Sequence, residues 1–545
     1  MQKGTLYNQK NAKQLLVYSL FLGIGISIGI FINIVKKDKF SQILDIINKD
    51  YVDSAKAANL EEETIDYLLA QLDPHSSYIP TELAEQNARQ IDGKYEGLGI
   101  EYMAFKDTLF VYNVFAGGPA AKAGILPGDR LLQANGIKLT DSLTRSEISE
   151  AMKGETETNA ELLVYRKQTN KRINFSIPRS TIMVNSSEIY YMVNATTGYI
   201  QIKMFSGSTH KQFVKALKEL KIQGLKDLIL DLRNNGGGLL FEATKIANEF
   251  LTENAIISYT EGLHRKRQNY KADGKGNFIN GKLILLINHN TASASEILAG
   301  ALQDNDRAVI LGNRSFGKGL VQEPFQLIDG STLRLTISRY FTPSGRSIQK
   351  PYTTNTTAYH NEIYTRNNSD DTLNLALDST IVKKYFTKNG RLLTSGGGIR
   401  PDIVLRDTIA DSTEIERLTP GLFYSHIFDV YLLDNMQNEV AFAQKQYKTL
   451  GLFETNYTIP EKHIKQLIIL AKTIPYLNRL TYSKKTGDII QKHLKAAIAM
   501  RLFGEKGKSQ TINSAEGVFS KSLQVLKNFN AILNIGQQKA HSFDY

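Results

Sequence analysis

Two apolar runs constrain the fold of this chain more than any other feature. "KDLILDLRNNGGGLL" (residues 226–240) and "KLILLINHN" (282–290) read as strands without a wet face, each ending in a polar turn. A strand of that kind needs cover on both sides. The cover is available nearby, because "HKQFVKALKEL" (210–220) and "FEATKIANEFL" (241–251) carry apolar residues at helical spacing. With the strand "GYIQIKMFS" (198–206) before them, residues 195–350 are expected to form an α/β body. "STLRLTISRYFTPSGRSIQ" (331–349) adds further strands and a turn.

At 545 residues the chain exceeds one ordinary core, so three or four domains are expected. It contains no cysteine, which excludes disulfides, thiol catalysis, cysteine-based metal sites and a lipid anchor on cysteine. The net charge of +12 is dispersed among acids rather than gathered in a stripe, so nucleic acid is not an expected partner. Residues 14–35, "QLLVYSLFLGIGISIGIFINIV", carry no charge and are flanked by Lys3, Lys10 and Lys13 before and Lys36, Lys37 and Lys39 after. That length spans a bilayer. No small-x-small cleavage site closes it, so residues 1–37 read as a retained signal anchor with one span.

Residues 38–90 read as amphipathic helices in "SQILDIINKDYVD" and "EEETIDYLLAQL", broken by "LDPHSSYIP" (72–80). Asp73 and His75 in that break are assigned to a turn rather than to catalysis. Residues 91–180 alternate short strands with glycine turns: "YEGLGIEYMA", "TLFVYNVFAGGPAAKAGILPGDRLLQANGIKL", a helix in "SLTRSEISEAMKG" and a strand in "NAELLVYRK". Residues 352–385, rich in Thr, Asn, Asp and Tyr, read as an insertion or mobile loop. "GRLLTSGGGIRPDIVL" (390–405) returns to a glycine turn and a strand. From about 415 to 535 the pattern is helical and rich in lysine, with a break near 506–517. This tail carries no chemistry-bearing motif and is expected to pack on the body or mediate assembly.

The chemistry concentrates in "TASASEILAGALQD", with Ser293, and "SFGKGLVQ", with Lys318 and Gln322. A serine at a helix start becomes a nucleophile if a neutral, desolvated lysine serves as its base. Ser293-Ala-Ser-Glu296 also fits a capping box, in which the serine merely caps the helix. Ser295 is the fallback nucleophile, although it falls within the first helical turn. Gly317 and Gly319 bracket Lys318 and permit close backbone packing that would bury it. The nine histidines yield no triad: His289, the nearest to Ser293, is assigned a local hydrogen bond. No HExxH or clustered carboxylates suggest a metal, and no cofactor is expected.

Residues 91–180 resemble a PDZ domain, with Gly97, Leu98, Gly99 and Ile100 matching the carboxylate-binding loop and "GGPAAKAGILPGDRLLQANG" (117–136) the stretch around its short helix. With "LDPHSSYI", "DLRNNGGG", "TASASEILAGALQDNDRAVILGNRSFGKGLVQ", "SRYFTPSGRSIQKP" and "GGGIRPDI" in order, residues 60–405 resemble the C-terminal processing peptidases, tail-specific serine proteases that carry a PDZ domain. The resemblance implies a multidomain α+β and α/β protein. An N-terminal signal anchor (1–37, with its transmembrane helix at about 14–35) and a helical region (38–90) precede a PDZ domain (91–180). That domain is inserted before a ClpP/crotonase-like α/β protease core (181–410, with 38–90 packed on it), and a helical C-terminal region (411–545) follows. It implies Ser293 as nucleophile, Lys318 as general base and Gln322 as the residue orienting it. The Ala294 and Gly237 N–H groups are expected to form the oxyanion hole. At residue 236 the family usually has proline and this chain has glycine, which leaves the second donor open. Asp304 is read as structural, and Asp231 and Arg233 as an ion pair holding the oxyanion turn. The expected activity is endoproteolysis near the C-termini of extracytoplasmic proteins. The PDZ domain would capture apolar tails and gate the site. The expected setting is the inner membrane with the body on the periplasmic side, with a homodimer or adaptor protein as further partners. The rival readings are a silent PDZ scaffold and a Ser–Lys esterase or amidase.

Overall fold

The computed structural model describes residues 39–52, 57–81, 83–84, 93–140, 143–152, 154, 157–183, 186, 189–365, 383–405 and 426–534, with positions 18, 19 and 21. The expected span at 14–35 otherwise lies outside the described residues. Among those described, no helix is long and apolar enough to cross a membrane. The chain divides into two units, residues 1–78 and 79–545.

The first unit holds helices α1 (Lys39–Asp50) and α2 (Ala57–Ala70) at the amphipathic stretches. After α2 the Asp73 carboxylate accepts the His75 and Ser76 N–H groups at 2.8 and 2.9 Å and the Ser76 hydroxyl at 2.6 Å. Asp73 therefore closes a turn, as its Asp-Pro context implies.

In the second unit, β1 (Ile100–Phe105), β2 (Thr108–Val114), β3 (Arg130–Ala134), β4 (Asn159–Arg166) and β5 (Lys171–Pro178) form an antiparallel sheet in that order. Helix α3 (Arg145–Met152) closes its core with Ile148, Ala151 and Met152 against Leu109, Val111, Leu131 and Leu162. The alternation of "NAELLVYR" decides the inward face: Ala160, Leu162 and Val164 are buried. β1 lies at the sheet edge, immediately after the Gly97–Ile100 loop.

The body contains a six-stranded sheet in the order β6 (Tyr190–Met192), β7 (Thr197–Gln201), β8 (Asp227–Asp231), β9 (Leu283–Ile287), β10 (Val309–Gly312) and β13 (Ile403–Val404). Only the β6–β7 pair is antiparallel. Side chains alternate between two cores. Leu228, Leu230, Leu283, Leu285 and Ile310 face helices α4 (Thr209–Ile222), α5 (Leu240–Asn248) and α6 (Ala294–Asp304). Ile229, Ile284, Leu286, Val309 and Leu311 face the other way. That second face is covered by the C-terminal helices α10 (Val518–Lys527) and α11 (Phe529–Leu533), through Val518, Phe519, Val525, Leu526, Phe529 and Leu533. A separate antiparallel layer contains β11 (Leu320–Gln326) and β12 (Thr332–Phe341).

Two sequence expectations change. Part of the region read as an insertion is helix α7 (Thr356–Thr365), and Lys384–Phe386 pairs with Leu392–Thr394; residues 366–382 lie outside the described residues. Helix α9 (Lys484–Ala515) runs through most of the stretch expected to break at 506–517. The interruptions are a kink at Gly504 (φ 69°) and the left-handed Gly517 (φ 68°), each a conformation that glycine adopts without a Cβ penalty. The tail begins with α8 (Ile427–Asn435), which enters the tail's own core, and covers the body through α10 and α11.

Candidate active site

Strand β9 delivers the chain to Ser293 by a turn stitched with side chains. Thr291 Oγ1 accepts the Asn288 N–H at 2.9 Å and donates to the Leu232 carbonyl at 2.9 Å. Ser293 then sits at φ 56° and ψ −119°, a positive φ on a non-glycine residue. Such a conformation costs about 1–3 kcal/mol and persists only where its surroundings impose it. Helix α6 starts at the next residue, so Ser293 stands at a helix N-terminus, where negative charge is favoured. Ser293 is partly exposed. Ser295 is fully buried, with its hydroxyl committed to the Asn235 carbonyl at 2.9 Å.

Glu296 joins the two stretches read as chemical. Its Oε2 accepts the Ser293 N–H at 2.9 Å and the Lys318 N–H at 2.8 Å. Its Oε1 accepts the Gly317 N–H at 2.8 Å and the Ser315 hydroxyl at 2.5 Å. Burial pushes this carboxyl up to about 7, against the pull of those four donors. The capping-box glutamate therefore reaches back to Ser293 and also ties down the lysine loop twenty-two residues on.

Lys318 is half-buried. Gly317 (φ +93°) is required at its place: a Cβ there would meet Gly398 N at 3.0 Å and Lys350 Cβ at 3.2 Å. The Lys350 ammonium lies 4.0 Å from the centre of the Phe316 ring and 3.0 Å from Glu362 on α7. His360 on the same helix is held below the usual imidazole range by burial, then by the charges of Lys350 and Lys318. The charges of Lys318 and Lys350 thus both reach His360. Gln322 lies on β11 after a bulge at Val321/Gln322, and its Nε2 donates to Thr336 Oγ1 at 3.2 Å.

The "NNGGG" turn packs directly on the serine. A methyl group on Gly237 (φ +104°) would lie 2.8 Å from Ser293 Cβ and 3.0 Å from Ala294 N. Both expected oxyanion residues therefore border Ser293. The Gly237 N–H donates to Asn235 Oδ1 at 2.9 Å. Asn235 is fully buried: its Nδ2 donates to the Ile202 carbonyl and its own carbonyl accepts the Ala292 N–H. Asp231, also fully buried, pairs with Arg233 at 2.6 Å and accepts the Tyr199 hydroxyl at 2.7 Å. Arg233 continues to Asn513 at 2.6 Å, joining the turn to α9. Asp304 pairs with the buried Arg346 at 2.7 Å. The sequence reading missed Asn235, Lys350 and His360, and saw Glu296 only as a cap. An acid inside an otherwise apolar helix start was the available signal for its burial.

The chain matches a peptidase family S41 model over residues 196–359 and a PDZ domain model over 110–166. A carboxy-terminal-processing protease of Bartonella bacilliformis is 37% identical over 319 residues, covering 57% of this chain and 72% of that one. The chain belongs to peptidase family S41, the C-terminal processing proteases. A carboxyl-terminal-processing protease of a Synechocystis strain is 35% identical, covering 53% of this chain and 69% of its own. A solved photosystem II D1 C-terminal processing protease is 27% identical, covering 57% of this chain and 89% of that one, with a TM-score of 0.34. Residues 421–504 match a family of unknown function, DUF8443. The protein is thus a serine-type peptidase with a PDZ domain and a helical C-terminal region.

Proposed function

We propose that Ser293 and Lys318 form the catalytic dyad of this S41 peptidase. The observation that carries the assignment is the single carboxylate oxygen of Glu296, which holds the Ser293 and Lys318 N–H groups together. Neutral Lys318 takes the Ser293 hydroxyl proton as Oγ attacks the scissile carbonyl. It then gives that proton to the leaving amine, and water hydrolyses the ester with Lys318 again as base. Gln322 orients the lysine from β11. The Ala294 N–H donates to the developing oxyanion, and the Gly237 N–H exchanges its Asn235 acceptor for that oxygen.

In the same reading, Gly97, Leu98, Gly99 and Ile100 hold the terminal carboxylate of an apolar tail, and the tail adds as a strand to edge strand β1. Residues 14–35 anchor the protein in the inner membrane with its body outside the cytoplasm; their charge-free length between lysines supports this. A serine-reactive fluorophosphonate tests the nucleophile. Mass spectrometry should locate the adduct on the Ser293 peptide, and Ser293→Ala should both escape labelling and fail to cut an unstructured protein with an apolar C-terminus. Labelling elsewhere, with cleavage retained by Ser293→Ala, would overturn the assignment.

A further inference from the structure

The C-terminal helical region grips the PDZ domain and the protease core at once. On the PDZ side, Arg130 of β3 donates to both carboxylate oxygens of Asp434 at 3.0 and 3.1 Å, and Lys167 reaches the same carboxylate at 3.4 Å. Val430 and Leu433 of α8 pack with Met103 and Phe110 in a small buried cluster. Arg501 of α9 donates to the Tyr112 carbonyl at 2.8 Å. On the core side, α9 holds Arg233 through Asn513, Lys203 pairs with Glu505, and Lys282 donates to the Leu526 carbonyl at 2.7 Å. The faces of α8 divide cleanly. Ile427, Phe428, Tyr431 and Leu432 enter the C-terminal region's own core, while Val430 and Leu433 turn to the PDZ sheet. Met103 belongs to β1, the strand proposed to receive the substrate tail, and it lies in this contact rather than in the PDZ core.

We infer that residues 426–534 are an intramolecular brace that fixes the PDZ domain on the protease core and thereby sets the distance between the captured tail and the scissile bond. Val430, Leu433, Asp434 and Arg501 are accordingly specificity-determining residues, acting through the position of the PDZ domain and not on the reacting atoms. The inference rests on the PDZ capture proposed above. A fixed anchor for the C-terminus at one point and a fixed nucleophile at another confine cleavage to a narrow band of positions counted back from the tail.

Two measurements on the full chain test it. The chain has no cysteine, so Lys171→Cys on the PDZ domain and Lys211→Cys on α4 accept spin labels without background. Pulsed electron resonance should give one narrow distance distribution in this background, and a broad one once Leu433→Asp and Asp434→Arg are added. The charge swap Arg130→Asp with Asp434→Arg, keeping Leu433, should narrow it again. In parallel, the cuts in an unstructured protein with an apolar C-terminus are mapped by mass spectrometry. The unlabelled protein should cut within a few residues of one position, and the Leu433→Asp, Asp434→Arg protein should scatter its cuts while fluorophosphonate labelling of Ser293 is retained. A broad distribution in the starting background, or a cut pattern that does not change when the brace is broken, overturns the inference. A narrow distribution without cleavage or labelling would uphold the brace and remove the proposed chemistry instead.

Discussion

At the scale of residues, the site is a set of close approaches organised by two buried polar side chains, Asn235 and Glu296. Gly237 borders Ser293 so closely that Gly237→Ala drives a methyl group to 2.8 Å from the Ala292 carbonyl oxygen. It should reduce kcat/KM by at least about 100-fold, the scale of a lost oxyanion donor. Gly236, one residue earlier, has nothing within 4 Å of its would-be Cβ, so Gly236→Ala should leave kcat/KM within about twofold of wild type. Glu296 supplies a pH test. Burial pushes its folded carboxyl up to about 7, above the ordinary 4.5, so the folded state binds more protons than the unfolded state between those values. Its contribution is therefore most favourable at low pH and is lost as pH rises from 4.5 to 7, by about 3 kcal/mol. The stability of the wild type relative to Glu296→Gln should fall by that order across the window in urea titrations. A gap that is flat with pH would show that Glu296 titrates as an ordinary carboxylate.

At the scale of elements, the apolar runs of β8 and β9 announced strands covered on both faces, and the two cores meet that demand. The sequence could not say which segment covers the second face. Helices α10 and α11 lie more than two hundred residues beyond β9, and their pattern reads only as amphipathic. The 3.6-residue period reports that a helix has a partner, not which partner. Ser293, Lys318 and the glycine turn were legible because each is a local motif. The Glu296 bridge was not, since it spans twenty-two residues and depends on burial. Ending the chain after Glu516 should uncover Tyr199, Ile284, Leu286 and Leu311 and remove six buried side chains worth about 10 kcal/mol together. That exceeds or matches the stability of a typical domain, so insoluble product is expected on expression. A soluble, active truncation would show that this face tolerates water. Arg233→Ala should cost about 3 kcal/mol in chemical denaturation, because it leaves the fully buried Asp231 with only the Tyr199 hydroxyl and a backbone N–H. A loss below 0.5 kcal/mol would put Arg233 among ordinary surface residues.

At the scale of the whole molecule, the helical C-terminal region is tied to both the PDZ domain and the protease core. Swinging the PDZ domain across the site, as a gate, would require breaking the Asp434 ion pairs and exposing Met103, Phe110, Val430 and Leu433. The account rests first on the chemistry, and the measurement nearest to it is turnover by Lys318→Arg. Arginine keeps the positive charge and comparable length but does not deprotonate. Cleavage of the same unstructured protein is followed for wild type, Ser293→Ala, Lys318→Ala and Lys318→Arg, with a circular dichroism melt of each. All three variants are expected to melt cooperatively like the wild type and to lose activity by about 1,000-fold or more. A folded Lys318→Arg protein that cuts at the wild-type rate would contradict the neutral-lysine mechanism outright.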